Sequence, residues 1–125
     1  MFRILVIDDS ALMRKIARDH LEEAGFEVDD FLPASVIEIM ERIRNAPPDL
    51  VLSDFNMPNI DGTHVARTVR RINPDIPVII LTASRDTARE ALLKTMGVRK
   101  ILHKPISGEE LSKIIGEVLA LSGDA

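Results

Sequence analysis

The sequence predicts an α/β domain, a three-layer αβα sandwich around a five-stranded parallel sheet. Five short apolar runs of strand length alternate with five stretches of helical periodicity. Alternation of this kind makes the strands parallel and joins them by right-handed crossovers. The runs at residues 2–7, 50–53 and 77–81 are apolar nearly throughout, as central strands covered on both faces are. At 125 residues the chain fits one domain, residues 1–125.

Each element has its own justification. Residues 2–7 (FRILVI) form the first strand, and Asp8 and Asp9 follow at once. Ser10 opens a helix with Met13, Ile16, Ala17, His20, Leu21 and Ala24 at helical spacing. Gly25 stands where a left-handed C-terminal cap belongs. Residues 26–31 make a weaker, more polar strand, expected at an edge. Ser35 and Glu38 have capping-box spacing and start a helix with Val36, Ile39, Met40 and Ile43 on one face. Pro47-Pro48 ends it.

The third strand, residues 50–53, runs into Asp54. Pro58 blocks further strand, and Asn59-Ile60-Asp61-Gly62 reads as turn chemistry. Residues 63–72 form a helix buried through Val65, Ala66, Val69 and Ile72, ended by Asn73-Pro74. The fourth strand, residues 77–81, is followed by Thr82-Ala83. Thr87 and Glu90 again have capping-box spacing, and the helix after them is expected to bury Ala91, Leu92 and Met96 before Gly97 stops it. Residues 98–102 form the fifth strand, followed by His103, Lys104 and Pro105. Ser107 and Glu110 repeat the capping pattern. The last helix carries Leu111, Ile114, Ile115, Val118 and Leu119 as an apolar stripe. Gly116 inside it should cost about 1 kcal/mol relative to Ala. Residues 122–125 read as a frayed tail.

Composition excludes several function classes. There is no cysteine, hence no disulfide framework and no thiolate metal site. A formal net charge of −4 argues against a large nucleic-acid footprint. With no Trp or Tyr and four Phe there is no base-stacking platform. No apolar run approaches the roughly 18 residues of a membrane span, so neither a membrane nor a nucleic acid is expected as partner. The default location is cytoplasmic.

Polar residues at the strand ends carry the chemistry. The first strand ends in Asp8 and Asp9, the third in Asp54, the fourth in Thr82 and the fifth in Lys104. A parallel sheet brings all carboxyl ends to one edge, where open α/β sheets keep their sites. Taken singly, each residue reads as a turn or helix-start residue; together they make a site. Three crowded carboxylates repel unless a cation enters. With no Cys and no clustered His the ligands are hard oxygens, which favours Mg²⁺, with Mn²⁺ as substitute, over zinc. Lys104 and Thr82 supply donors for a phosphate, and an Asp carboxylate is a known nucleophile in phosphoryl transfer. Asp54, on a central strand, is best placed to attack.

At these residues the chain resembles the receiver domains of two-component response regulators, the stand-alone chemotaxis-regulator kind in particular. The resemblance spans essentially the whole chain. It rests on Leu5-Val6-Ile7-Asp8-Asp9-Ser10, on Leu52-Ser53-Asp54-Phe55-Asn56-Met57-Pro58 with Asp61-Gly62, on Leu81-Thr82-Ala83 and on Lys104-Pro105. It implies a flavodoxin-like sheet of order 2-1-3-4-5. It implies that Asp54 takes a phosphoryl group from a sensor histidine kinase or phosphotransfer protein. Mg²⁺ would be bound by Asp9, Asp54, the Asn56 backbone carbonyl and, through water, Asp8. Thr82 would hydrogen-bond the phosphoryl oxygens as the switch, small Ala83 would leave access, and Lys104 would pair with the phosphoryl group. Lys104-Pro105 would be cis, against a prior of about 5–6% for X-Pro bonds. A downstream protein would dock on the fourth helix, fifth strand and fifth helix. The resemblance implies no enzyme beyond phosphotransfer and autodephosphorylation at Asp54.

Two positions depart from the family. Ile101 stands where Tyr or Phe is common, and Ile106 replaces the usual aromatic after Lys-Pro; both put the usual output relay in doubt. An Asp-nucleophile phosphohydrolase would need an acid two residues after Asp54, where Asn56 stands. A flavin phosphate would be repelled by Asp8 and Asp9. A phosphorylation-independent interaction module would not need the intact set of acids, Thr82 and Lys104. His20 reads as part-buried and His64 as surface. Arg85, Arg89, Lys94, Arg99 and Lys100, mixed with Asp86 and Glu90, read as a solvated face or the border of a partner site.

Overall fold

The computed structural model describes residues 1–122. Its main sheet is built from β1 (Arg3–Ile7), β2 (Glu27–Phe31), β3 (Leu50–Asp54), β6 (Val78–Thr82) and β7 (Lys100–His103). All pairings are parallel and the order is β2-β1-β3-β6-β7. Counting the strands of this sheet alone, that is the expected 2-1-3-4-5. Between them run α1 (Ala11–Glu23), α2 (Val36–Asn45), α3 (Gly62–Ile72), α4 (Thr87–Thr95) and α5 (Gly108–Ser122). The polar strand β2 lies at an edge, as expected. Residues 123–125, most of the expected tail, lie outside the described residues; Ser122 still belongs to α5.

Side chains alternate across a strand, so each central strand feeds two cores. Ile4, Val6, Leu50, Leu52, Ile79 and Leu81 pack against α1 and α5 through Ala17, Leu21, Leu111, Ile115 and Val118. Leu5, Ile7, Val51, Val78 and Ile80 pack on the other face against Ile39, Ile43, Val65, Val69 and Leu93 of α2, α3 and α4. The three layers follow from near-continuous apolar strands that need cover on both sides.

Several local expectations need correction. The turn after β3 contains a miniature antiparallel hairpin, β4 (Asn56–Met57) and β5 (Ile60–Asp61). Asn59 turns it with φ +67°, a conformation Asn tolerates better than most residues. Asp61 is the N-cap of α3, and His64 completes a capping box by accepting the Asp61 amide at 3.0 Å. His64 is therefore a half-exposed capping residue and not a bare surface one. The α4 cap is Asp86, whose side chain accepts from Ala88 and Arg89 amides, so Thr87 is the first helical residue and not the cap. The buried face of α4 is Leu93, with Leu92 54% exposed and Ala91 exposed. Adjacent leucines sit about 100° apart on a helix, and hydropathy cannot choose between them.

The stripe on α1 is also narrower than its periodicity suggests. Ala17 and Leu21 are buried, whereas Ile16 is 40% exposed and His20 and Ala24 are exposed. His20 lies across Gly108 at the start of α5, where an added Cβ would fall 2.1 Å from the ring. It packs on backbone at the surface, not in the core. Gly25 and Gly97 do adopt positive φ at helix ends, +96° and +91°.

Gly116 has open space where a Cβ would stand. Gly116→Ala should therefore raise unfolding free energy by about 1 kcal/mol, through helix propensity alone. Urea denaturation checks this, and an unchanged midpoint would contradict it.

Candidate functional site

Four neighbouring strands, β1, β3, β6 and β7, end on the same edge. Asp8 directly follows β1, Asp54 closes β3, Thr82 closes β6 and Lys104 directly follows β7. The register joins Asp54 to Leu81 and Thr82 to His103, so these residues meet because parallel pairing leaves them nowhere else to go. Asp8, Asp54 and Thr82 are buried and Asp9 is exposed. Asp8, Asp9 and Asp54 each offer a carboxylate oxygen, all within 4.8 Å of one another. Lys104 Nζ lies 2.9 Å from Asp54 Oδ1. Asn56 stands two residues beyond Asp54, exposed, in β4.

Backbone contacts fix the frame. The Phe55 amide donates to the Leu81 carbonyl at 2.8 Å and the Lys104 amide to the Thr82 carbonyl at 2.9 Å. The Lys104-Pro105 bond is cis, as expected. Thr82 Oγ1 accepts the Ser84 amide at 3.1 Å. Ser10 caps α1 and its own amide donates to Asp8 Oδ1 at 2.9 Å. Burial pushes the Asp8 carboxyl above its usual range. The Asp54 and Asp9 charges push the same way, against the Ser10 amide and the Lys104 charge. Burial also raises Asp61, but hydrogen bonds from the Thr63 hydroxyl and the His64 and Thr63 amides outweigh it and hold that carboxyl low.

The donor set fits a hard divalent cation. Clustered carboxylate oxygens, with one acid already resisting ionisation, are the environment such an ion relieves. A narrow cleft lined by Met13, Ile16, Ala17, Ile106 and Leu111 leads away from Asp8 and Asp54 between α1 and α5. Ile106 thus occupies its wall.

Sequence reasoning brings together Asp8, Asp9, Asp54, Thr82 and Lys104, and the structure does the same. Four other residues make contacts that the sequence does not show. Arg14 donates to the Asp8 carbonyl at 2.7 Å. Arg89 of α4 lies over the ring of Phe55, 4.3 Å from its centroid. Glu90 meets His103 Nε2 at 3.0 Å. Arg89 and Glu90 are therefore not simply part of a solvated face. Gly62, read as a turn residue, also has a packing reason: a Cβ there would fall 2.8 Å from Phe55 and 3.2 Å from Ile80. Its signal was a Gly at a helix start, which close approach explains better than turn geometry.

The sheet is an open parallel one of flavodoxin-like order, with an acidic pocket and a lysine on its carboxyl edge. The chain belongs to the response regulator receiver domain family, whose model matches residues 4–116. A curated relative, the response regulator MprA of Mycobacterium sp. (strain KMS), is 35% identical over 109 residues, 87% of this chain and 46% of the relative. The chain spans about half the length of the curated relatives it matches. Among solved structures, the chemotaxis protein CheY4 of Vibrio cholerae is 30% identical with TM-score 0.86, covering 95% of this chain and 99% of that one. The CheY-like receiver domain protein of Methanospirillum hungatei JF-1 shares the fold at TM-score 0.89 and 24% identity, over 98% of this chain and 97% of that one. Among the described residues, no helix is long and apolar enough to cross a membrane.

A carboxyl group whose pKa rises on folding adds stability that is fully present below its unfolded value of about 3.9 and lost as pH climbs through the folded value. Without metal, Asp8 should therefore destabilise the fold at neutral pH. Asp8→Asn keeps an oxygen for the Ser10 amide. In chelator it should be more stable than the parent near pH 7, with the gap closing towards about pH 4. Urea titrations at several pH values check this; parallel curves would contradict it.

Proposed function

We propose that the domain is a phosphoacceptor that takes a phosphoryl group onto Asp54 in a Mg²⁺-dependent reaction and thereby switches the binding of a partner protein. The observation that carries this reading is the Asp54 to Lys104 contact of 2.9 Å inside the acidic cluster. The donor would be the phosphohistidine of a sensor histidine kinase or phosphotransfer protein, in the cytoplasm. A carboxylate oxygen of Asp54 attacks phosphorus as the bond from phosphorus to the donor imidazole breaks. The electron pair returns to the imidazole nitrogen, which takes up a proton. A bound Mg²⁺ would neutralise the acids and draw charge from the phosphoryl oxygens. Asp9, Asp54 and the Asn56 carbonyl would hold it, with Asp8 acting through water. Lys104 leaves the Asp54 oxygen for a phosphoryl oxygen, and Thr82 donates its hydroxyl proton to another. Ala83 is small and exposed, which leaves that approach open. No turnover of a separate substrate is involved beyond hydrolysis of the aspartyl phosphate itself.

Acetyl phosphate with Mg²⁺ should add one phosphoryl mass to the intact protein. Chelation or Asp54→Asn should abolish the addition, and labelling that survives Asp54→Asn would sink the assignment. Mg²⁺ should also raise the melting temperature of the unphosphorylated protein, by binding only the native state. The gain is roughly 1.4 kcal/mol at about ten times Kd. A melting temperature indifferent to bound Mg²⁺ would count against it.

Output would leave through α4, β7 and α5 towards a downstream protein. Ile101 is half-buried and packs against the core beneath α3 and α4. A β-branched side chain is stiff at χ1 and cannot swing as a ring does. The first turn of α4 instead holds Arg89 on Phe55 and Glu90 on His103. Beryllofluoride with Mg²⁺ should therefore shift backbone amides across residues 82–90 while the Ile101 methyl groups keep one rotamer. An NMR rotamer change at Ile101 that tracks beryllofluoride binding would show this route to be wrong.

A further inference from the structure

The acidic loop is braced from behind. Arg14 lies in the first turns of α1 and reaches two groups at once. Its Nη1 donates to the backbone carbonyl of Asp8 at 2.7 Å, and its Nε to Asp30 Oδ2 at 3.2 Å. Asp30 belongs to β2 and sits in register opposite Val6 of β1. Arg18, one helical turn further on, donates its Nε to Asp30 Oδ1 at 2.7 Å and pairs with Glu22, but does not hydrogen-bond to Asp8. The side chains of Arg14 and Asp30 are each 19% exposed, so the pair is largely sheltered from screening. A path of hydrogen bonds thus runs from the edge strand through Asp30 and Arg14 to the carbonyl of Asp8.

That carbonyl belongs to the Asp8–Asp9 peptide unit, which is planar. Fixing its oxygen fixes the orientation in which the chain enters Asp9, whose carboxylate is exposed and has no hydrogen-bond or ion-pair partner among the described residues. We propose that Arg14 is a positioning residue for the divalent cation site: it sets the Asp8–Asp9 peptide plane and so aims the Asp9 carboxylate towards Asp8 and Asp54. The inference rests on the proposed Mg²⁺-dependent function and adds a residue that does not touch the ion.

Charge makes the proposal testable by sign. A guanidinium close to a cation site repels the cation, so if Arg14 acted through its charge alone, removing it would tighten metal binding. If it acts by positioning, removing it weakens binding in spite of the relieved repulsion. Outer partners of metal ligands typically contribute about 10–100-fold in affinity, and a contact to the backbone of a ligand residue belongs near the lower end. Lysine does not substitute, because one ammonium cannot span the carbonyl and Asp30 as the planar fork does.

The experiment is titration of the full chain with Mn²⁺, followed by electron paramagnetic resonance, with Mg²⁺ competition. Arg14→Met and Arg14→Lys should each raise the dissociation constant about tenfold. Arg18→Met removes a neighbouring charge on the same Asp30 and should leave it within about twofold, since this charge is about one-third exposed. In the metal-free protein, amide resonances of Asp9 and Ser10 should move in the Arg14 variants and stay in Arg18→Met. Affinity unchanged or improved in Arg14→Met overturns the proposal. So does an Arg18→Met loss as large as that of Arg14→Met, which would assign the effect to general destabilisation. If Arg14→Met does not fold, Arg14→Lys decides alone on the same criteria. A parent protein that binds neither metal would instead remove the proposed function on which the inference stands.

Discussion

Folding this chain forces three carboxylates together. Parallel pairing of β1 with β3 carries Asp8, Asp9 and Asp54 to one edge, and the apolar cores on both faces hold the strands there whatever the charges prefer. Buried acids of like sign cost free energy, and the cost appears in the raised pKa of Asp8. Lys104 offsets part of it through Asp54. The site is therefore held under electrostatic load, which a cation or a change in the Asp54 to Lys104 contact would alter. On the proposed function, its chemistry and its switching arise from the same imbalance.

Much of this was legible because the relevant residues sit at the ends of apolar runs. Asp8, Asp54, Thr82 and Lys104 each end a segment whose length and hydropathy make it a strand, and parallel topology then assembles them without further information. Gly25 was legible for the same local reason, since its left-handed backbone follows from residue type and place. The Leu92 and Leu93 pair shows where such reading stops: both are apolar, and which one faces the sheet depends on how α4 sits on β6 and β7. His20 shows a second limit. Its helical spacing matched the buried stripe, but Gly108 from the far end of the chain gives its ring a surface to lie on.

Arg14, Arg89 and Glu90, whose contacts the sequence does not show, share one property: each has a partner on another element and meets it only through tertiary structure. Arg14 needs Asp30 from the edge strand. Glu90 needs His103, and Arg89 needs Phe55. Each looks like an ordinary surface charge on a helix, a type of residue whose exposed pairs contribute little. Here they are part-buried or stacked, and each bonds to an element that carries the site.

Arg89 and Glu90 are neighbours in sequence, and their targets are the sequence neighbours of Asp54 and Lys104. Phe55 follows Asp54, and His103 precedes Lys104. The start of α4 is thereby tied to both sides of the Asp54 to Lys104 contact. Phe55 cannot give way easily, because Gly62 closes over its ring so tightly that a single Cβ would not fit. A displacement of Asp54 or Lys104 is consequently better relieved by movement of α4 than by compression beneath it. Ile101 is too stiff at χ1 to swing as a ring does, so on the proposed function the first turn of α4, above the close contact of Phe55 with Gly62, is the route from the acidic pocket to the surface.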